Sequence, residues 1–200
     1  MKTVVIATNN KNKVKEFKSL LGNDNIEFKT LNEIGYDKEI IEDGNTFEEN
    51  AKIKAMQVAK DLNVIALSDD SGLEVKALNN APGIYSARYA GGHDDEANNQ
   101  LLIKNLKGIK DRTARYACAI CIAYPNGEYK TVIDYCYGEI IDERRGTNGF
   151  GYDPYFYIKE FGKTFAEVPL EKKNTISHRA KAIRKMKELL NEDFSLKWFS

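Results

Sequence analysis

Two adjacent carboxylates in Ser68-Asp69-Asp70-Ser71-Gly72 are the side chains of this sequence best suited to chemistry. They follow Val64–Leu67, a short apolar run that reads as a buried strand, and open α/β sheets bind ligands beyond the carboxyl ends of their strands. Neighbouring acids repel, and a cation relieves that most directly. Mg2+ suits such a pair because it takes one or two carboxylates together with substrate phosphates. Glu42, beside Asp43-Gly44, is a second candidate ligand. The plainer alternative is an acidic turn capped by Ser71.

Three further groups could serve the same chemistry. Thr8-Asn9-Asn10-Lys11-Asn12-Lys13 lies where an apolar strand, Thr3–Ala7, hands over to a helix. Free N–H groups and the positive end of the helix dipole gather at such a junction and favour anions. Thr8 and Asn10 add side-chain donors, and Lys13 adds a charge one turn in. The segment has no glycine, so it is neither a Walker A loop nor a dinucleotide fingerprint; the alternative is an Asn-rich cap.

Asn148-Gly149-Phe150-Gly151-Tyr152-Asp153-Pro154 alternates glycines with aromatics. Glycine lets backbone approach a flat ligand, and a ring stacks on a base for ~1–3 kcal/mol. A turn that merely packs two aromatics would look similar. Lys172-Lys173 and Ser177-His178-Arg179 flank the start of the last expected helix. Most of the basic residues there read as a solvated face, while His178 and Arg179 could donate to a carbonyl or phosphate, the alternative being a structural histidine. Cys118, Cys121 and Cys136 read as small core residues, because no second Cys/His pair completes a zinc site. With only His93 and His178 and no nucleophile elbow, a Ser-His-Asp hydrolase has no support.

These residues need a scaffold in which strands deliver side chains and helices supply polar ends. Lys13–Leu21 carries Val14, Phe17, Leu20 and Leu21 at helical spacing and is closed by Gly22. Strand-like pieces follow at Ile26–Thr30 and Lys38–Ile41. Thr46-Phe47-Glu48-Glu49 has capping-box spacing and predicts a helix to Leu62 that buries Phe47, Ala51, Ala55, Val58, Ala59 and Leu62. Another helix is expected over Glu96–Leu106. Tyr116–Tyr124, Pro125-Asn126-Gly127 and Lys130–Ile140 read as a long hairpin around an Asn-Gly turn. The last helix is expected over His178–Leu190. Strands that alternate with helices and then a hairpin make an α/β chain with a mixed sheet.

The whole chain bounds these readings. Its 200 residues suit one domain, 1–200, or two lobes without a linker between them. Lys and Arg number 30 and Asp and Glu number 30, which argues against a nucleic acid as main partner. The halves differ, with 12 basic and 17 acidic residues in 1–100 against 18 and 13 in 101–200. The longest apolar run, Tyr116–Tyr124, is far below the ~20 residues that span a bilayer. No secretory h-region stands at the N-terminus, and three cysteines make no disulfide framework, so a cytoplasmic setting is expected.

Taken together these motifs resemble the inosine triphosphate pyrophosphatase family, the Ham1-like XTP/dITP diphosphatases. The resemblance covers Thr8 to Lys13, Glu42 with Gly44 to Ala51 and Lys54, Ser68 to Leu73, Ala81 to Tyr89, Gly149 to Pro154, and Ser177-His178-Arg179, in order. It departs at Arg145, where relatives often have proline, and in the acidic stretch His93 to Glu96. It implies a long curved mixed sheet flanked by helices, two lobes around a central cleft, and a homodimer. It also implies Mg2+-dependent hydrolysis of deaminated purine triphosphates (ITP, dITP, XTP) to monophosphate and pyrophosphate, a cleansing of the nucleotide pool.

By the same resemblance Thr8, Asn10, Lys13 and Ser71 would bind phosphates, with Asn9, Lys11 and Asn12 also in the substrate site and Lys54 and Lys173 adding charge along the triphosphate. Glu42 and Asp70 would hold Mg2+, and Asp70 would be the general base, with Asp69 the alternative for that role. Phe150, Gly151, Tyr152 and Asp153 would line the base pocket, with His178 and Arg179 reading the 6-oxo edge. Two rivals remain: a Maf-like pyrophosphatase acting on pyrimidine or modified triphosphates, and a nucleotide sensor without turnover.

Overall fold

A computed structural model describes residues 2–21 and 26–192. In chain order its elements are β1 (Lys2–Ile6), α1 (Lys11–Leu21), β2 (Ile26–Thr30), α2 (Phe47–Leu62), β3 (Ile65–Val75), α3 (Asp95–Asn105), β4 (Thr113–Ala123), β5 (Tyr129–Ile140), β6 (Phe156–Ile158), β7 (Lys163–Thr164), α4 (Leu170–Ile176) and α5 (His178–Glu192). The strands form one sheet in the order β2-β1-β3-β4-β5-β6-β7. β1 is parallel to β2 and β3, whereas β5 with β6 and β6 with β7 are antiparallel, so the sheet is mixed and the fold α/β.

The described residues fall into two compact units, one drawn from 1–70, 118–134 and 179–200, the other from 71–117 and 135–178. Each has its own apolar core. In the first, Val4, Ile6, Phe17, Leu67, Ile120 and Ile183 pack together. In the second, Leu73, Leu102, Tyr116, Phe156, Ile158 and Phe165 do.

The helix expected from the Thr46 signature is present, and its ends have clear causes. Thr46 Oγ1 accepts the Glu49 N–H at 3.1 Å, and Asn63 closes the helix in the left-handed region at φ 53°. The reciprocal arm is displaced by one residue, since Glu49 Oε2 accepts from the Asn45 N–H at 2.6 Å. Phe47, Ala51, Ala55, Val58 and Ala59 are buried as expected, and Leu62 is half-buried. The alanines at every fourth position let the helix lie close to β3, where Ser68 Oγ donates to the Ala51 carbonyl.

The largest correction concerns β3. The expected strand ends at Leu67, but β3 continues through Ser68-Asp69-Asp70-Ser71-Gly72 to Val75. The two acids therefore lie within a strand rather than in a turn, and the pleat sends them to opposite faces. Lys38–Ile41 is a second correction: it forms no strand, and Ile41 is 66% exposed. The hairpin is present with arms β4 and β5, closed by the Tyr124 N–H on the Glu128 carbonyl at 2.9 Å. The strands β6 and β7 and helix α4 were not expected. The Gly22 stop lies outside the described residues.

Candidate active site

In the first unit the alternation along β3 sorts the paired acids. Leu67 and Asp69 share the face that carries Phe17 of α1 and Ile183 of α5. Asp69 is fully buried, with Lys13 Nζ at 3.0 Å and Arg179 Nη2 at 3.3 Å. Arg179, itself 1% exposed, also pairs with the buried Glu16 through Nη1. The result is a chain of alternating charges, Glu16–Arg179–Asp69–Lys13. Burial opposes charge on Asp69, but Lys13, Arg179 and Lys54 outweigh it and hold its carboxyl far below the usual range. Arg179 shifts the other way, with Glu16 and Asp69 overcoming desolvation to keep it charged.

Asp70 lies with Ser68 on the α2 face and has a different environment. Its Oδ2 is buried and accepts no hydrogen bond among the described residues. Desolvation raises its carboxyl above the usual value; Lys54 and Lys13 pull back, Glu42 adds to the rise, and an Asn50 hydrogen bond pulls down. Lys54 ion-pairs with Glu42, and although desolvation works against its charge, Asp70, Asp69 and Glu42 together raise its pKa. Glu42, Lys54, Asn50 and Asp70 thus form one group in which the acids outnumber the cation. Gly44 places the loop before α2 in it, since a Cβ there would come within 2.7 Å of Asn50 Oδ1 and of Glu49 Cβ. Asn50 Oδ1 accepts the Gly44 N–H at 2.9 Å.

A hard divalent cation fits Glu42 and Asp70. Both supply carboxylate oxygens, and Asp70 Oδ2 is buried without a donor. Among the described residues no three His, Cys, Asp or Glu side chains converge as a metal site. Two carboxylates leave most of the coordination sphere to water and phosphate, which is how Mg2+ is commonly bound.

The Thr8–Lys13 segment caps α1. Asn10 Oδ1 accepts the N–H groups of Asn12 at 3.0 Å and Lys13 at 3.2 Å, and Thr8 Oγ1 accepts the Asn10 N–H at 3.1 Å. The loop is consequently ordered, with Asn9, Asn10, Lys11 and Asn12 exposed at a helix N-terminus.

In the second unit, Asp153 organises the Gly-aromatic loop. Its Oδ2 takes Lys173 Nζ at 2.8 Å and the Phe150 N–H at 3.1 Å, and its Oδ1 takes the Tyr116 hydroxyl at 3.2 Å. Gly149 is required here: at φ +71° a Cβ would sit 2.1 Å from Asp153 Oδ2. Lys173 is 3% exposed and lies over the rings of Phe150 and Phe165. His178 stacks on Tyr116 with ring centroids 4.6 Å apart. Tyr152 is buried with its hydroxyl on the Ser86 carbonyl at 2.7 Å. Of the loop residues, Asn148 and Gly149 are exposed, Phe150 and Gly151 half-buried, and Tyr152, Asp153 and Pro154 buried.

Of the expected site residues, Glu42, Lys54 and Asp70 come together in the first unit, and Phe150, Gly151, Tyr152, Asp153, Lys173 and His178 in the second. Lys13 and Arg179 join Asp69. Five contributors escaped the sequence reading: Glu16, Asn50, Asp95, Asn99 and Tyr116. Glu16 did carry a signal, as the one acid in Lys11–Lys18, three positions after Lys13.

Comparisons with known proteins cover almost the whole chain. A proteins-of-one-family profile described as the Ham1 family matches residues 4–189. The "dITP/XTP pyrophosphatase" of Desulfotalea psychrophila is 51% identical over 92% of this chain and 83% of that one. The protein of the same name from Bacillus subtilis is 50% identical over 95% of this chain and 98% of its own. The solved Ham1 protein of Staphylococcus aureus superposes with a TM-score of 0.88 at 44% identity, covering 96% of this chain and all of that one. The HAM1 protein of Coxiella burnetii has the same TM-score at 40% identity. Fold, motif order and identity over more than nine-tenths of the chain have one common explanation: the chain belongs to the Ham1 family.

Proposed function

We propose that this protein hydrolyses deaminated purine nucleoside triphosphates, dITP and XTP foremost and ITP with them, to the monophosphate and pyrophosphate. The observation that carries the reading is Asp70. It has a buried oxygen that accepts no hydrogen bond, beside Glu42 and Lys54, in a chain about half identical to proteins named for that reaction. The reaction class is a nucleoside triphosphate pyrophosphatase, a hydrolase of phosphoric anhydrides.

A triphosphate brings about four negative charges that repel an incoming nucleophile, so positioning and charge neutralisation supply most of the rate. Glu42 and Asp70 are the residues that would hold Mg2+, whose charge would offset that of the triphosphate and of the pyrophosphate leaving group. Asp70 would align water for attack at the α-phosphorus. Its position on the α2 face favours it over Asp69, whose carboxylate is tied to Lys13 and Arg179. Thr8, Asn10, Lys13 and Ser71 would bind phosphate oxygens, with Lys54 and Lys173 as further counter-charges. Phe150 to Asp153 would receive the base, and His178 and Arg179 would donate to its 6-oxo edge. A pocket built of donors rejects a 6-amino purine because buried donors would then face another donor. A cytoplasmic homodimer belongs to the same reading.

The test is a panel of dITP, XTP, ITP, ATP, dGTP, dTTP and UTP with Mg2+, assayed separately for pyrophosphate and orthophosphate. The reading expects pyrophosphate from the first three. Preference for dTTP or UTP would replace it with the Maf-like alternative, and binding without product with the sensor.

A further inference from the structure

The acidic stretch before and within the first turn of α3 has a task in the second unit that the chemistry above does not use. Asp94 Oδ1 accepts the Ala97 N–H at 3.0 Å and caps the helix. Asp95 turns to the Gly-aromatic loop, where its Oδ2 accepts the Gly151 N–H at 2.8 Å. One helical turn on, Asn99 Nδ2 donates to the Gly151 carbonyl at 2.9 Å. Both polar groups of Gly151 are thus held by one helix, four residues apart. Asn99 is 1% exposed, and the Gly151 carbonyl fixes its amide orientation, because only Nδ2 can donate to it. Its Oδ1 is buried without a hydrogen-bond partner among the described residues.

Gly151 sits at φ +60° between Phe150 and Tyr152. Its neighbours are fixed by other partners, Phe150 N–H by Asp153 and the Tyr152 hydroxyl by Ser86. The peptide plane of Gly151 would otherwise be the loop's least restrained part, since glycine has the widest conformational choice. We infer that Asp95 and Asn99 form a two-point clamp on Gly151 and act as positioning residues that set base selectivity by fixing the loop from Phe150 to Asp153. This rests on the reading that the loop receives the base. With both its polar groups engaged by α3, Gly151 contributes loop shape rather than a hydrogen bond to the base.

The clamp is tested with Asp95→Ala, Asn99→Ala and the conservative Asp95→Asn, which retains an acceptor. Glu96→Gln is the control, because Glu96 meets Arg144 at 2.7 Å, Gln100 at 2.7 Å and the Tyr155 hydroxyl at 3.3 Å rather than Gly151, and glutamine keeps an acceptor for the last two. Two readouts separate the clamp from the function it serves. In the free protein, amide hydrogen exchange at Gly151 is expected to quicken about tenfold in Asp95→Ala, the scale of one lost hydrogen bond. In turnover, both alanine variants are expected to raise KM for dITP about tenfold and lower dITP preference over dGTP by a similar factor, with kcat within about threefold. Asp95→Asn should recover most of that loss, and Glu96→Gln should match the parent. Faster Gly151 exchange with unchanged KM and selectivity would overturn the inference, as would unchanged exchange. Equal loss of kcat for all substrates, tracking a fall in Tm, would also overturn it by making the contacts structural. Absence of dITP turnover in the parent protein would instead defeat the proposed function and leave the exchange result standing.

Discussion

The group around Asp70 and the group around Asp153 are both built from carboxylate and lysine, yet they are balanced differently. Asp153 is satisfied within its own unit by Lys173, Tyr116 and the Phe150 N–H. Asp70 shares Lys54 with Glu42 and keeps a buried oxygen without a hydrogen bond, so burial raises its carboxyl. A closed set of charges fixes shape, and one with excess acid has room for a cation. The contrast recurs within β3, where Asp69 is neutralised by Lys13 and Arg179 and its neighbour is not. Adjacent acids of the same type therefore have different surroundings, divided by the pleat of one strand.

That contrast can be broken most decisively at Asp70. Asp70→Asn should lower kcat by about 10²–10⁴-fold with the fold retained, as expected for a lost proton acceptor or ligand. Pyrophosphate release together with circular dichroism checks it, and an active variant would remove Asp70 from the mechanism. In the balanced sets the loss should fall on stability. Arg179→Met strands Glu16 and leaves Asp69 with Lys13 as its close cation, and Lys173→Met strands Asp153; each should cost about 3–5 kcal/mol in urea unfolding. Full stability in either variant would mean that its carboxylates are not held as described.

Smaller effects sharpen the picture. Lys13→Ala should raise KM for the triphosphate about tenfold, near 1.4 kcal/mol, with kcat near the parent value. Unchanged KM and kcat would reduce the Thr8–Lys13 loop to a helix cap. The least effect concerns the thiols. Burial pushes Cys121 up to about 11, against opposing pulls from Thr131 and Lys52, and lifts Cys118 further still. These two thiols should stay protonated and unreactive towards a disulfide reagent at pH 8 in the folded protein. Between pH 9 and about 11 the unfolded Cys121 binds fewer protons than the folded one, so stability should decline as pH rises through that window, followed by thermal unfolding.

Where local chemistry sufficed, the elements could be read before any coordinates. Thr46 and the alanine spacing marked α2, Asn126-Gly127 marked the β4–β5 turn, and apolar runs marked β1 and β4. The two- and three-residue strands β7 and β6 and the seven-residue α4 are too short to show a period. β3 was cut short because a polar run reads as a turn when the lysines and arginine that neutralise it lie far away in the chain. Lys38–Ile41 erred in the other direction, since isoleucines suggest a strand that no neighbour pairs.

The sequence alone therefore settled which residue types are present and in what order, enough to name Glu42, Asp70, Lys173 and His178 as candidates and to suggest the family. Tertiary structure decided which charges answer one another. Glu16 meets Arg179 across 163 positions, Lys173 meets Asp153 across 20, and Asn99 reaches Gly151 across 52. Such pairs leave no periodic trace, because a charge or amide is placed by the packing of the whole element that carries it. Only that packing separates an acid held between cations from one that keeps a buried oxygen without a hydrogen bond.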